Sequence, residues 1–221
     1  MKSKIIKRGF DIITAIIALI IFGPIIAVVS AMVLATMGRP IFFRQIRPGL
    51  KGKPFEILKF RSMKNETDNK GNPLSDEERL TKFGDMLRSY SIDELPQLIN
   101  ILKGDMSVVG PRPLLYDFFP YYTVQEMRRH EVKPGVTGPA QVNGRNNLNW
   151  DDRLKMDVDY VDNWSLWLDI KIILKTVLVV LKRDDVRTEG YATFLRLDDY
   201  RKEKEVKDNS VESELKKRYI S

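Results

Sequence analysis

The hydropathy of this chain is uneven. From Ile12 to Gly38 no residue is charged, whereas the rest alternates short apolar runs with polar and charged stretches. As one straight helix the uncharged run would reach about 40 Å, enough to cross a hydrocarbon core. Gly23-Pro24 falls at its midpoint, and proline removes a helical hydrogen bond, so a break is predicted there. Basic residues flank both ends: Lys2, Lys4, Lys7 and Arg8 before, Arg39, Arg44, Arg47, Lys51 and Lys53 after. The positive-inside rule then gives no preferred orientation and places both ends in the cytoplasm. A re-entrant helix that dips into one leaflet satisfies both signals; the alternative is a spanning anchor kinked at Pro24. The run is too long for a signal peptide, and no small-residue cleavage site follows it.

Period-two alternation marks Ile41–Met63 as a β-hairpin, with Pro48-Gly49-Leu50-Lys51-Gly52 as its turn. Phe55, Ile57 and Lys59 share one face of the second strand. Asn65–Leu74 is polar and reads as a surface loop. Ser75 and Glu78 have capping-box spacing, and the helix they open buries Leu80, Phe83 and Leu87 and ends near Arg88. Ser91 and Glu94 repeat that spacing, ahead of Leu95, Leu98, Ile99 and Leu102 on one helical face. Tyr116, Phe118, Phe119, Tyr121 and Tyr122 read as core. Lys133–Asn147 is a turn-rich loop in which Gly135, Gly138 and Gly144 permit close backbone approach. Trp150–Arg183 is predicted helical throughout, and its second half, with Trp164, Trp167, Lys171, Lys175 and Lys182, resembles an interfacial helix. The chain therefore reads as mixed α/β and helix-rich: a membrane helix at 1–38, a main body at 39–197 and a charged, solvated tail, loosely ordered or helical, at 198–221.

Of 221 residues none is cysteine, which excludes disulfides and thiolate metal sites. His130 is the one histidine, so neither a His-rich metal site nor a hydrolase triad can form. We read it as a surface or packing residue. The net charge of +7 suits phosphorylated substrates, anionic lipid or nucleic acid. No RNP or helix-turn-helix pattern supports nucleic acid.

The densest chemistry lies between Ser91 and Pro113. Asp93 and Glu94 open a helix, where free N–H groups favour an ionised carboxylate that could attack phosphorus or hold a metal. The plainer alternative is a helix cap. Lys59, Arg88 and Arg112 surround the pair in sequence, and fixed cations are what an anionic nucleophile needs when it approaches a phosphate diester. Lys59-Phe60-Arg61-Ser62-Met63, Ser91–Leu98, Leu102–Leu114 and Lys133–Asn146 together closely resemble the bacterial sugar transferase family, the small monotopic phosphoglycosyl transferases. The closest likeness is to the members that initiate bacterial protein N-glycosylation.

The resemblance implies transfer of a sugar 1-phosphate from a UDP-sugar, an N-acetylated amino sugar, to undecaprenyl phosphate, with release of UMP, on the cytoplasmic face of the bacterial inner membrane. It implies Asp93 as nucleophile, forming an aspartyl phosphosugar, and Glu94 as its partner in Mg²⁺ binding or deprotonation of the acceptor. Direct one-step displacement and a non-catalytic membrane adaptor are the rival readings. Lys59, Arg88, Arg112 and Arg145 are the expected phosphate ligands, Pro111 and Pro113 stiffen the loop that aims Arg112, and Gln141 and Asn143 are polar tips of the substrate loop. Gly23 departs from the serine common in the family at this place. A homodimer is compatible with the sequence.

Overall fold

A computed structural model of the chain describes residues 2–72, 74–144, 148–182 and 195–205. Helix α1, Lys2–Met37, is a single 36-residue element with Pro24 inside it. This corrects the expected broken helix: helical structure continues through Gly23-Pro24. The lost hydrogen bond is tolerated because packing holds the helix on both sides of it. Ala15, Ala18 and Leu19 pack with Ile57, Leu98, Ile101 and Met106. Ile26, Val29, Val33 and Met37 pack with Phe60 and Leu87. The opposite side of α1 exposes Ile13, Ile16, Ile17, Ile20, Ile21, Phe22, Ile25 and Val28.

Both ends of α1 are tied to the rest of the molecule. Near the start, Arg8 donates to the carbonyls of Ile101 and Leu102 at the end of another helix, at 2.6 and 2.9 Å. Asp11, fully buried, accepts from Ser107 Oγ at 2.8 Å and from the Val108 N–H at 3.0 Å. At the far end Gly38 terminates the helix in the left-handed region (φ 71°). There the buried Arg61 guanidinium donates to the carbonyls of Met37, Gly38 and Arg39.

Strands β1, Phe42–Pro48, and β2, Pro54–Phe60, form the predicted antiparallel hairpin, with Phe43 opposite Lys59. Ser75 and Glu78 do make a capping box, but the helix it opens is short. It runs Asp76–Arg79 (α2), and a second helix, Lys82–Ser89 (α3), restarts on Thr81, whose hydroxyl accepts from the Gly84 N–H. After a 3-10 turn at Ile92–Glu94 comes α4, Gln97–Lys103. Strand β3, Ser107–Val109, pairs in parallel with β4, Gly135–Thr137, a contact the sequence did not suggest. The pairing requires Gly135, since a Cβ there would lie 2.1 Å from the Gly110 nitrogen.

Two short helices come next: α5, Val124–Met127, after the aromatic segment, and α6, Pro139–Val142, inside the stretch expected as a turn-rich loop, which therefore holds both β4 and a helical turn. The aromatic segment is a 3-10 helix, Tyr116–Tyr121, whose Phe118 packs with Leu114, Trp150 and Leu154 as core. His130 is buried against Phe119 and Tyr122, a packing residue, and burial lowers its pKa to about 4.

The helix expected over Trp150–Arg183 is two, α7 (Trp150–Asp162) and α8 (Leu166–Lys182). The break has a local cause: Ser165 Oγ accepts from the Leu168 N–H and starts a new helix. On α8, Trp167, Leu174, Val177, Leu178 and Leu181 are exposed.

The first part of the charged tail is helical, one of the two states expected of it. Residues 197–205 form a helix (α9) that buries Leu197 beside Trp150 and joins Arg201 to Glu126 and Asp151. Residues 206–221 lie outside the described residues.

Candidate functional site

Asp93 and Glu94 occupy the 3-10 turn that joins α3 to α4. The capping box expected at Ser91 is absent: Ser91 is left-handed (φ 55°), and its side chain makes no capping hydrogen bond. The Glu94 side chain is engaged elsewhere. Its Oε1 accepts from Lys59 Nζ at 2.6 Å and from Arg112 Nη2 at 2.8 Å. Asp93 is 7 % exposed and accepts no hydrogen bond from the described residues; Lys59 Nζ stands 3.9 Å from its Oδ2.

These two environments drive the carboxyls apart. Burial raises the Asp93 pKa to about 6, with the charge of Glu94 adding to it and Lys59, Arg112 and Arg88 opposing. For Glu94 burial pushes upward too, but Arg112 and Lys59 outweigh it and bring the pKa down to about 2. Two adjacent acids with separated pKa values are a pattern of functional sites. At neutral pH Asp93 is ionised yet more basic than an ordinary aspartate, which favours nucleophilic attack.

The surrounding elements place the cations. Lys59 comes from β2. Arg88, in the last turn of α3, donates through Nε to Ser62 Oγ at 2.9 Å. Gly84 permits that approach, because a Cβ there would lie 1.8 Å from the Ser62 carbonyl oxygen. Arg112 projects from a loop whose flanking residues, Pro111 and Pro113, are buried. The Pro111 carbonyl accepts from the Gly135 N–H at 3.0 Å and the Arg112 carbonyl from Arg129 Nη2 at 2.7 Å.

All of these side chains except the two prolines line one cavity of about 790 Å³, and Gln141 lines it too. Gln141 donates to the Val136 carbonyl at 2.8 Å. Asn143 is exposed, accepts from Lys175 Nζ at 3.0 Å and is not part of the cavity wall. Arg145 lies outside the described residues.

Sequence reasoning missed a second group. Arg129 and Asp157 form a buried ion pair at 2.7 Å behind Arg112, and Arg47 and Arg153 also line the cavity. Asp157 had a legible signal, since it shares an i, i+3, i+4 spacing with the buried Leu154 and Val158. Arg129 had none, sitting in a basic run that reads as surface.

Among the described residues no three His, Cys, Asp or Glu side chains come together. The adjacent carboxylates nevertheless suit Mg²⁺, which takes one or two protein carboxylates and completes its shell with water and substrate phosphates. Asp93, which accepts no hydrogen bond from the described residues, is the better placed ligand. Glu94 would have to share its oxygens with Lys59 and Arg112.

Comparison with known proteins identifies the family. The model of the family described as bacterial sugar transferase matches residues 2–183. The uncharacterized sugar transferase EpsL of Bacillus subtilis is 54 % identical over 189 residues, covering 86 % of this chain and 94 % of its own length. The galactosyl transferase CpsE of Streptococcus agalactiae is 44 % identical over 80 % of this chain and 42 % of its own. The UDP-glucose:undecaprenyl-phosphate glucose-1-phosphate transferase of Escherichia coli is 40 % identical over 79 % of this chain and 40 % of its own. The chain thus spans nearly all of EpsL but only about two fifths of the latter two. With its matched region extending from the start of α1 to the end of α8, the chain belongs to the bacterial sugar transferase family.

Proposed function

We propose that the protein transfers a sugar 1-phosphate from a UDP-sugar to undecaprenyl phosphate through a covalent intermediate on Asp93. An Asp93 oxygen attacks the β-phosphorus, the bond from that phosphorus to the bridging oxygen breaks, and UMP leaves. A phosphate oxygen of undecaprenyl phosphate then attacks the same phosphorus, the bond to Asp93 breaks, and undecaprenyl-diphosphate-sugar is released. One difficult displacement becomes two easier ones.

The observation that carries this reading is the Asp93 carboxylate, buried and set among Lys59, Arg88 and Arg112 in a large cavity. Arg112 and Lys59 hold Glu94 ionised and offset the charge of the diphosphate. A bound Mg²⁺, held by Asp93 with Glu94, would neutralise phosphate oxygens and assist departure of UMP. Arg145 and Asn143 are proposed as further ligands of the substrate.

The sequence resemblance implied an N-acetylated amino sugar. The names of the glucose-1-phosphate and galactosyl transferases favour a hexose as the second reading.

We read the protein as monotopic on the cytoplasmic face of the inner membrane, with 1–38 as its membrane element. Support comes from the two ends of α1, tied to the same body by Arg8 and by Arg61, as expected when both ends stay on one side of the bilayer. Because the chain has no native cysteine, Lys4→Cys and Lys51→Cys can be labelled singly. Both should be inaccessible to an impermeant thiol reagent in intact cells; labelling of one would exclude this topology.

The functional test is UMP release from a panel of UDP-sugars, including UDP-glucose, UDP-galactose and N-acetylated amino sugars, with undecaprenyl phosphate and Mg²⁺. Radiolabelled sugar phosphate should be retained on the wild type before acceptor is added and be absent from Asp93→Asn. Full turnover without retained label would establish one-step displacement, and no UMP from any donor would leave an adaptor.

A further inference from the structure

The cavity around Asp93 is not polar throughout. Val136, Val142, Thr176, Val179 and Val180 also line it, three of them from the C-terminal half of α8. The Thr176 hydroxyl is already engaged with the Thr137 hydroxyl at 2.7 Å and the Ile172 carbonyl at 2.8 Å, so it adds little polarity to that wall. Val177, Leu178 and Leu181 stand next to these residues on the same helix and are 52, 56 and 74 % exposed. Cavity wall and exposed apolar surface therefore meet along one edge of α8. By contrast, among the described residues no side chain of α1 lines the cavity, although α1 carries the longer apolar face.

An acceptor with a long hydrocarbon chain and an anionic head must keep the chain in an apolar medium while its phosphate enters a basic cavity. The geometry points to the C-terminal half of α8 as the entry path of the acceptor lipid, with Val179 and Val180 contacting the isoprenoid chain nearest the phosphate. Phe43 of β1, 46 % exposed and also on the wall, is a second apolar contact. The UDP-sugar, which has no hydrocarbon chain, makes no use of this edge. The assignment rests on the proposed lipid acceptor and specifies where it binds.

Placing an amide in an apolar contact path should weaken lipid binding roughly tenfold. Val180→Asn should accordingly raise the KM for undecaprenyl phosphate about tenfold and leave the KM for the UDP-sugar unchanged. Leu174→Asn, on the exposed side of α8 but off the cavity wall, should leave both unchanged, which separates the path from general membrane affinity. An equal rise in both KM values for Val180→Asn, or a rise for Leu174→Asn as large as for Val180→Asn, would overturn the assignment.

A second measurement needs no turnover. A photo-crosslinking amino acid at position 180 in the full chain should capture undecaprenyl phosphate in detergent micelles, and one at the exposed position 124 should not. Absence of the adduct at position 180, with or without one at position 21 of α1, refutes the path. An adduct in a protein that releases no UMP would instead refute the proposed reaction and leave the lipid site standing.

Discussion

Replacing Asp93 by Asn should stabilise the protein while abolishing transfer. In the folded state the Asp93 pKa is about 6, against an ordinary value of 3.8. The folded protein therefore binds this proton more tightly than the unfolded chain, and stability falls as pH rises from about 4 to about 6. At 1.36 kcal/mol per pKa unit the ionised carboxylate costs about 3 kcal/mol at pH 8. That is an upper value, because water enters the cavity. Asparagine carries no charge to desolvate, and it also relieves Glu94 of a like-charged neighbour. For a chain of this size the gain corresponds to a rise in Tm of roughly 6–12 °C at pH 8. The gain should shrink toward zero near pH 4, where wild-type Asp93 is protonated. Glu94 gives the opposite slope, losing its stabilising effect as pH falls below about 4.5 toward 2, and it does so in both proteins. Thermal unfolding in detergent at pH 8 and at the lowest pH the fold tolerates reads the difference. A variant less stable than wild type at pH 8, or one equally stabilised at both pH values, would refute the argument that burial is what raises this pKa.

The same ionisation should appear in activity: kcat/KM for UMP release should fall about fivefold between pH 6 and pH 5 as Asp93 takes up its proton, and a profile flat to pH 5 would contradict it. Arg112→Lys keeps the charge but loses the planar guanidinium that meets Glu94, and steady-state kinetics should show at least a roughly tenfold loss of kcat/KM. Gly84→Ala should destabilise by about 3 kcal/mol or more, because the added methyl meets the Ser62 carbonyl and the backbone must move; denaturant unfolding measures it. Arg129→Met alone should cost about 3–5 kcal/mol by stranding buried Asp157, and adding Asp157→Leu should restore most of that loss in the same assay.

How much of the site could be read from the sequence depended on how local its causes are. Lys59, Arg88, Asp93, Glu94 and Arg112 were all legible from motif and spacing, and the fold gathers them around one cavity. Their division of labour was not legible. Ser91 and Glu94 have capping-box spacing, but the box does not form, because Lys59 and Arg112 take the Glu94 carboxylate from 35 and 18 residues away. A local rule gives way when nearby charges offer a stronger, charge-assisted bond. Where the cause was local the reading held, as at the Ser75–Glu78 box and the hairpin turn at Gly49. Where it was partly local the position was right and the extent wrong, as on either side of Ser165.

The sequence by itself determined the long uncharged run, the hairpin, the acidic pair with its basic motifs, and the absence of thiol chemistry, since each follows from residue type and short-range period. Only tertiary structure decided that α1 continues through Pro24, that β3 and β4 pair in parallel, that Arg129 and Asp157 support Arg112, and that Asp93 and Glu94 differ in pKa. Those outcomes depend on burial and on charges brought together across long separations in the chain. A carboxylate's pKa is set by the solvent it loses and the cations it gains on folding, and neither quantity is written in its neighbours along the sequence.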